Sequence, residues 1–497
     1  MKLSKMFNRF SAIALSAVML SAAAIPAFAV DTQPKGFIVD SVRDGSVEFQ
    51  KNNAEMLDSV YRQILACNTK IDISQYRIPY DNPNYQGIID ALLGIFPELF
   101  FINYYSIDSP TYFYEGGEFY MKELVINYSK TPEEIATMLD AFHKKADYYL
   151  SLVDDSMDEY TKALVLHDAL IQNSVYRIAS EGSSVVDSTT YTLMVEGWGR
   201  CENYAECYAY LLSHLGIESE LVNSDAMNHE WMKIHLDGSD YYYNVDVTWD
   251  DALVNGYDRP ERVSHKYFLL SDELIQNDDN GHYGYDTYYP SDGAYDGKTN
   301  LHSIDQPIVP IGGKFYTLYR SNNKGIIATY DPKTDGLTDL YSISDRWYTS
   351  SGGFWMNNYS CIGVHEGLIY FNRENSVDVF DPATGQVENY IPQAMKDGRQ
   401  LYGMFVRDGV IYGLASDSPN KRAEIVELGP CKENVPQDML GDVTLDGVLD
   451  ISDATEIQCF IAEIRIPTAR QLAVADYNHD GEIDISDATD IQIAISR

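Results

Sequence analysis

Gly197-Trp198-Gly199-Arg200-Cys201-Glu202-Asn203-Tyr204, then His229-Glu230-Trp231, then Asn244-Val245-Asp246-Val247-Thr248-Trp249 is the run whose reading decides the fold. A cysteine, a histidine and an aspartate follow in the order of a thiol nucleophile, its base and the base's orienting carboxylate. After Cys201, the residues Tyr204, Tyr208, Leu211, Leu212 and Leu215 recur at helical spacing, and Gly216 stands where a left-handed glycine closes a helix. Cys201 is therefore expected at a helix N-terminus, where unpaired amides and the macrodipole favour thiolate over thiol. The stretches 229–236 and 239–249 read as two strands joined by Asp237-Gly238, a strong signal for a two-residue type I′ turn. That turn pairs Leu236 with Ser239 and sets His229 directly opposite Asp246, with Cβ atoms roughly 4.5–5.5 Å apart. A pairing shifted by two leaves the two as diagonal neighbours within reach. A shift of one sends them to opposite faces.

A cysteine opening an aromatic-rich helix, His-x-Trp on a strand and Asn-Val-Asp-x-Thr-Trp-Asp-Asp on the next resemble the bacterial transglutaminase-like domain. Those domains belong to the papain-like cysteine hydrolase superfamily. The resemblance runs from about Asp155 to Asp251 and more loosely back to about Gly36. It implies an α+β core with Cys201 as nucleophile, His229 as general base and acid, and Asp246 as orienter, and no cofactor for catalysis. It also implies thioester chemistry: amide cleavage of a protein or peptide substrate if water takes the acyl group, cross-linking if an amine does. A non-catalytic binding module is the third reading. The commoner family form at the histidine is His-Ala-Trp-Asn, whereas this chain has His229-Glu230-Trp231-Met232. The Cys201 backbone N–H is the first choice for an oxyanion donor, with Gln172 and Tyr176 as side-chain alternatives. Cys207, about 120° round the helix from Cys201, is read as core. His167 is read as a satisfied core histidine, and His214, His235, His265 and His282 as structural or surface residues.

Near the C-terminus Asp442-Val-Thr-Leu-Asp-Gly-Val-Leu-Asp450-Ile-Ser-Asp453 repeats 34 residues later as Asp476-Tyr-Asn-His-Asp-Gly-Glu-Ile-Asp484-Ile-Ser-Asp487. Oxygen-bearing side chains fall at loop positions 1, 3, 5, 9 and 12, with glycine at 6, in the layout of an EF-hand-type calcium loop. The expected ligands are Asp442, Thr444, Asp446, Val448 (through its carbonyl), Asp450 and Asp453, then Asp476, Asn478, Asp480, Glu482 (through its carbonyl), Asp484 and Asp487. Aspartate at position 12 and a helical run after each loop resemble a type I dockerin, a small α-helical module folded by calcium. The resemblance implies two structural Ca²⁺ sites and a cohesin module of a scaffold protein as partner. It makes Ile451, Ser452, Gln458, Ile485, Ser486 and Gln492 candidate contacts, while Ile457 and Ile491 read as helix core. Such scaffolds mostly organise polysaccharide degradation in cellulosome-type assemblies. No carboxylate pair in this chain stands out as a glycosidase acid and nucleophile.

The ends and the composition set the context. Lys2, Lys5 and Arg9 precede an apolar run from Ala12 to Ile25 and an Ala27-Phe28-Ala29 cleavage pattern, so residues 1–29 read as a secretory signal peptide. No later apolar run is long enough to span a bilayer, and a secreted, extracellular protein is expected, held at the cell surface where a scaffold anchors it. The net charge of −39, which becomes −42 without that leader, argues against nucleic acid as a partner. Six scattered cysteines make neither a disulfide framework nor a zinc site; whether Cys431 pairs with Cys459 stays open.

The organisation expected is an α/β region over 30–150, a transglutaminase-like catalytic domain over 151–299, an all-β accessory domain over 300–429, a linker over 430–437 and a dockerin over 438–497. In the first region 100–105 and 111–128 read as strands, the second folding back at Glu115-Gly116-Gly117. Thr131-Pro132-Glu133-Glu134 and Ser156-Met157-Asp158-Glu159 each read as a helix start. In the accessory region Gly313-Lys-Phe-Tyr316, Gly367-Leu-Ile-Tyr370 and Gly409-Val-Ile-Tyr412 recur, with spacings of 54 and 42 residues. They suggest a partial propeller or a β-sandwich.

Overall fold

A computed structural model describes residues 38–41, 46–177, 188–251, 253–254, 257–277, 279–432, 440–444, 448–462, 464–465, 467 and 469–496. The expected signal peptide, Asp446 and linker residues 433–437 lie outside them. The fold is mixed α/β, with several separate sheets.

The central sheet has five strands. In spatial order they are β1 (Ile38–Asp40), β2 (Ser219–Ser224), β3 (His229–His235), β4 (Tyr242–Val245) and β5 (Phe268–Leu270). β1 joins parallel to β2 from far upstream in the chain, and the other pairs are antiparallel. The helices that bear on the site are α1 (Pro132–Leu150), α2 (Glu159–Gln172), α3 (Thr190–Met194) and α4 (Cys201–His214). α4 is buried almost all round, and Tyr204, Tyr208, Leu211 and Leu212 share one core with Met232 and Ile234 of β3. Its buried tyrosines each find a partner: Tyr204 donates to Asp251 at 2.6 Å, Tyr208 to the Ala163 carbonyl at 2.7 Å and Tyr210 to Glu98 at 3.1 Å. That is how an aromatic-rich helix is buried without stranding hydroxyls. The helix closes as expected: Gly216 takes φ +86° while Ile217 N–H reaches the Leu212 carbonyl and Gly216 N–H that of Ser213.

Two sequence expectations upstream need correction. Residues 100–105 are not a strand; the chain runs through short 3₁₀ turns at Pro97–Leu99 and Tyr104–Ser106. The reason is Glu98, buried beneath this segment, which accepts from Tyr61, from Tyr210 and from His143 Nε2 at 2.7 Å. α2 starts two residues later than Ser156 implies, because Asp158 caps it by accepting the Thr161 N–H at 2.8 Å. The Thr131 capping box of α1 forms as read, and strands Ile107–Glu115 and Glu118–Ile126 fold back at Gly116-Gly117.

Residues 309–430 form three successive antiparallel meanders of four, four and three strands. Each recurrent Gly-x-x-Tyr opens the second strand of its meander, after a two-residue turn with both φ values positive at Gly312-Gly313, Glu366-Gly367 and Asp408-Gly409. Apolar side chains fill the spaces between consecutive sheets. This β-rich region docks on α2: Arg407 donates to the Gln172 carbonyl at 2.7 Å and the Ile308 N–H to Asp168 at 2.7 Å. Cys431 and Lys432, expected in the linker, pack on the β-rich region: the Cys431 N–H donates to the Gly409 carbonyl at 2.7 Å and the Lys432 N–H to the Tyr370 hydroxyl at 2.8 Å. All six cysteines are free thiols, Cys431 and Cys459 included.

Glu98 binds the 46–128 region to the core, so Glu98→Ala leaves three donors unpaired and is expected to cost about 2–4 kcal/mol in urea unfolding. Burial works against its charge, but His143, Tyr61 and Tyr210 outweigh it and hold its carboxyl below the usual range. Its contribution is therefore full above the ordinary glutamate range and is lost as pH falls through the depressed value. A variant as stable as wild type at pH 7 would contradict this.

Candidate active site and calcium loops

Cys201 is the first residue of α4, preceded by Arg200 in extended conformation, whose N–H is held by the Asn203 side chain at 3.1 Å. The turn before it needs its glycines. Gly197 has φ +74°, and a Cβ there would lie 2.9 Å from the Asn173 carbonyl oxygen. Residues 198–199 pair in parallel with 175–176, which brings Tyr176 beside the thiol. Burial raises the Tyr176 phenol, and the charges of Cys201 and Glu202 add to that. Gln172 is placed only through its backbone carbonyl, on Arg407. The Cys201 Sγ lies 3.5 Å from Glu202 Oε2, and its charge reaches the His229 ring.

The structure brings His229 to Asp246, but by a different register from the one expected. His235 pairs with Tyr242 and Met232 with Val245, so the pairing is shifted by two, and Asp246 lies just past β4. Asp237-Gly238 does turn the chain, with Ser239 N–H on the Leu236 carbonyl at 3.2 Å and Gly238 at φ +82°. Pairing does not resume at once, because Tyr241 N–H goes to Ser239 Oγ at 3.0 Å and His235 Nε2 to the Ser239 carbonyl at 2.8 Å. Local bonds at the tip thus outcompete the tight hairpin. The shift of two keeps the diagonal relation, and His229 Nε2 donates to Asp246 Oδ2 at 2.6 Å.

Asp246 also caps α5 (Val247–Asp250): its Oδ1 accepts the Trp249 N–H at 3.0 Å. Asn244, two residues before, accepts from Trp231 Nε1 at 3.0 Å and donates to Asp272 at 2.9 Å, which locks the strand end. Trp231 and Trp249 stack on the His229 ring at 5.7 and 5.3 Å. Cys201 and His229 are each 7% exposed and Asp246 is fully buried. Burial acts against the His229 cation, but the Asp246 carboxylate and the Cys201 sulfur outweigh it and raise the imidazole to about 10. Burial likewise opposes the Asp246 charge, and His229 and His282 still pull it down to about 2.

His282 is what sequence reasoning missed. It is fully buried and its Nε2 lies 2.9 Å from the same Asp246 Oδ2. The two are 36 residues apart, and no spacing rule links them. His265, also read as structural or surface, is buried and sits with His167, Asp168 and Asp250 in a satisfied network. His167 bonds Asp168 at 2.9 Å and Asp250 at 3.2 Å, and His265 bonds Asp168 at 3.0 Å. Cys207 is core, with Sγ on the Thr190 carbonyl at 3.4 Å, and His214 bonds the Tyr210 carbonyl at 2.9 Å. Among the described residues, two sets of two histidines and one carboxylate have donor atoms close enough to share a metal: His229, Asp246 and His282, and His167, Asp168 and His265.

The described residues of the two C-terminal loops share the same bonds at positions 3, 9 and 12. Asp453 and Asp487 are fully buried, and each bonds the N–H of loop position 9 (Asp450 or Asp484) at 2.9 Å. Each also bonds the N–H of position 3: Thr444 at 2.9 Å, Asn478 at 3.2 Å. Asp450 and Asp484 cap α6 (Ile451–Ile461) and α7 (Ile485–Ile495). Asp442 is buried, and Asp476 accepts the N–H groups of Asp480 and Gly481 at 3.1 and 3.0 Å. These hard oxygen donors fit calcium. Val448 and Glu482 hold position 7, and Glu482 N–H bonds Asp480 at 2.9 Å. Ile457 and Ile491 are core, whereas Ile451, Ser452, Gln458, Ile485 and Gln492 are exposed and Ser486 is half-buried.

Comparison with known proteins gives two family matches. The transglutaminase-like superfamily matches residues 147–252, and the dockerin type I domain matches residues 440–495. No curated protein matches the chain. A crystal structure described as a TGase is 12% identical over 31% of this chain, with a TM-score of 0.21; the match spans 46% of that chain. An N-arylamine acetyltransferase of Mycobacterium smegmatis is 13% identical over 51% of this chain and 86% of its own, with a TM-score of 0.18. A structure described as a putative protease from Parabacteroides distasonis is 13% identical over 45% and 54%, with a TM-score of 0.17. Type I dockerin domains bind calcium, occur in secreted cellulosome components and imply cohesin binding. Among the described residues no helix is long and apolar enough to cross a membrane.

The raised imidazole of His229 makes a stability prediction. Its pairing with Asp246 contributes fully below the unfolded histidine value of about 6.5 and is lost as pH rises through about 10. The gap in denaturation midpoint between wild type and Asp246→Asn should be widest near pH 6 and narrow steadily towards pH 10. A gap that widened with rising pH would contradict the pairing.

Proposed function

We propose that this chain is a secreted, scaffold-borne thiol hydrolase of transglutaminase-like type, acting on amide bonds of protein or peptide substrates. The observation that carries the reading is the 2.6 Å bond from His229 Nε2 to Asp246, which leaves Nδ1 for a thiol at the first position of a buried helix. Cys201 attacks the substrate carbonyl carbon, and its amides at the start of α4 face the developing oxyanion, the Cys201 N–H first. His229, kept protonated at neutral pH by Asp246, favours the thiolate and then gives its proton to the departing amine. The product is a thioester on Cys201. Water, losing a proton to His229, releases the acid and restores the thiol; an amine acceptor at this step would give a new amide instead.

The C-terminal module supplies location. In this reading Asp442, Thr444, Asp446, the Val448 carbonyl, Asp450 and Asp453 hold one Ca²⁺. Asp476, Asn478, Asp480, the Glu482 carbonyl, Asp484 and Asp487 hold the other. The metal is structural, and binding it orders α6 and α7. The exposed Ile451 and Ile485 at matched helix starts then form two equivalent faces for a cohesin module.

Two variants separate the halves. Cys201→Ala should abolish peptide release from a mixed peptide library read by mass, a loss of at least about 10³-fold, and leave cohesin binding unchanged. Asp487→Ala should remove one calcium equivalent in calorimetry and weaken cohesin binding, with turnover intact. Full turnover in Cys201→Ala would end the nucleophile assignment. A primary amine appearing in products in place of free acid would move the reaction from hydrolysis to cross-linking.

A further inference from the structure

We infer that His282 is a positioning residue of the thiol site: an imidazole clamped between the Asn280 carbonyl and Asp246, fixing that carboxylate against His229. The inference rests on the reading of Cys201, His229 and Asp246 given above. His282 Nδ1 lies 3.1 Å from the Asn280 carbonyl oxygen and Nε2 lies 2.9 Å from Asp246 Oδ2. Both are acceptors without protons to give. In the bond to Asp246 the N–H is therefore on Nε2.

The placement is built rather than incidental. The ring is fully buried, walled by Trp231 at 4.7 Å, Trp249 at 4.3 Å and Tyr267 at 5.5 Å. The loop that carries it is tied down on both sides. His282 N–H donates to the Ile275 carbonyl at 3.2 Å, Asn280 Nδ2 to the Leu274 carbonyl at 2.8 Å, and Ser224 Oγ to the Tyr283 carbonyl at 2.7 Å. The titratable groups facing it are His229 from β3, Asp246 from the end of β4 and Tyr267 before β5.

The consequence for chemistry follows from counting bonds on Asp246. Oδ1 is taken by the Trp249 N–H and Oδ2 by two imidazoles, so the carboxylate cannot rotate without losing a charged bond. A carboxylate that cannot rotate keeps the His229 ring in the orientation that leaves Nδ1 for the thiol. His229 must both face the thiol and give a proton to the leaving amine, so this orientation acts on the acylation step. The competing arrangement is a metal held by His229, Asp246 and His282, which needs an unprotonated Nε2 on His282.

The test uses the full chain with ¹⁵N-labelled histidine, the His282 signals assigned by their loss in His282→Gln. The His282 Nε2 signal is expected in the form that carries the N–H bonded to Asp246. An unprotonated Nε2, or one equivalent of zinc in the purified chain, overturns the inference. In parallel, alkylation of Cys201 by iodoacetamide at pH 7 is followed by peptide mass. His282→Leu should be slower by on the order of tenfold, with His282→Gln, which keeps a donor, recovering part of the rate. A wild-type rate in His282→Leu also overturns it. If Cys201→Ala keeps its turnover, the proposed function falls while the histidine spectrum stands as an independent result.

Discussion

The Asp246 carboxylate is the point on which the site depends. One side chain ends β4, caps α5 and takes both His229 and His282. Each task constrains the others: the capping bond sets where the carboxylate sits, and that position sets where a histidine from the neighbouring strand must end. Burying a charge so completely is tolerable because three donors meet the carboxylate, two imidazoles and a backbone N–H. The two tryptophans that wall the site exclude water from these bonds, so their strength is not diluted by solvent.

A second buried network ties this site to the rest of the chain. Asp250, at the end of α5, bonds His167 of α2, and His167 shares Asp168 with His265. Asp168 also takes the Ile308 N–H, where the chain enters the β-rich region. Glu98 plays the matching part on the other side, joining Tyr61, His143 and Tyr210. Buried polar groups of this kind add little net stability over apolar replacements but penalise any misplaced packing. The layers around α4 are therefore held in register by charge as well as by apolar contact.

Asp237-Gly238 and Asp408-Gly409 show how far local sequence reaches. The two dipeptides have the same turn propensity. Asp408-Gly409 makes the two-residue hairpin, with Arg407 paired to Val410. At Asp237-Gly238 the Ser239 and His235 bonds, and Glu159 accepting the Asp237 N–H at 2.5 Å, draw the tip away and delay pairing by two residues on the second strand. Because side chains alternate with a period of two, that displacement preserved the facing of His229 and Asp246. An offset of one would have destroyed it.

The sequence by itself determined the features that depend on short-range rules. These are Cys201 at a helix start behind a Gly-x-Gly turn, the glycine-closed end of α4, the order cysteine, histidine, aspartate, and two calcium-type loops with their following helices. Each rests on bonds or backbone angles spanning a few residues, so composition at fixed spacing was enough. Tertiary structure alone decided the rest: the strand Ile38–Asp40 joining the central sheet, the turns around Glu98, the register of β3 with β4, and His282 on Asp246. Those depend on which buried donors and acceptors meet across separations of up to 180 residues or so. Such meetings are selected by the cost of leaving a polar group unpaired in the core, a cost that no local pattern encodes.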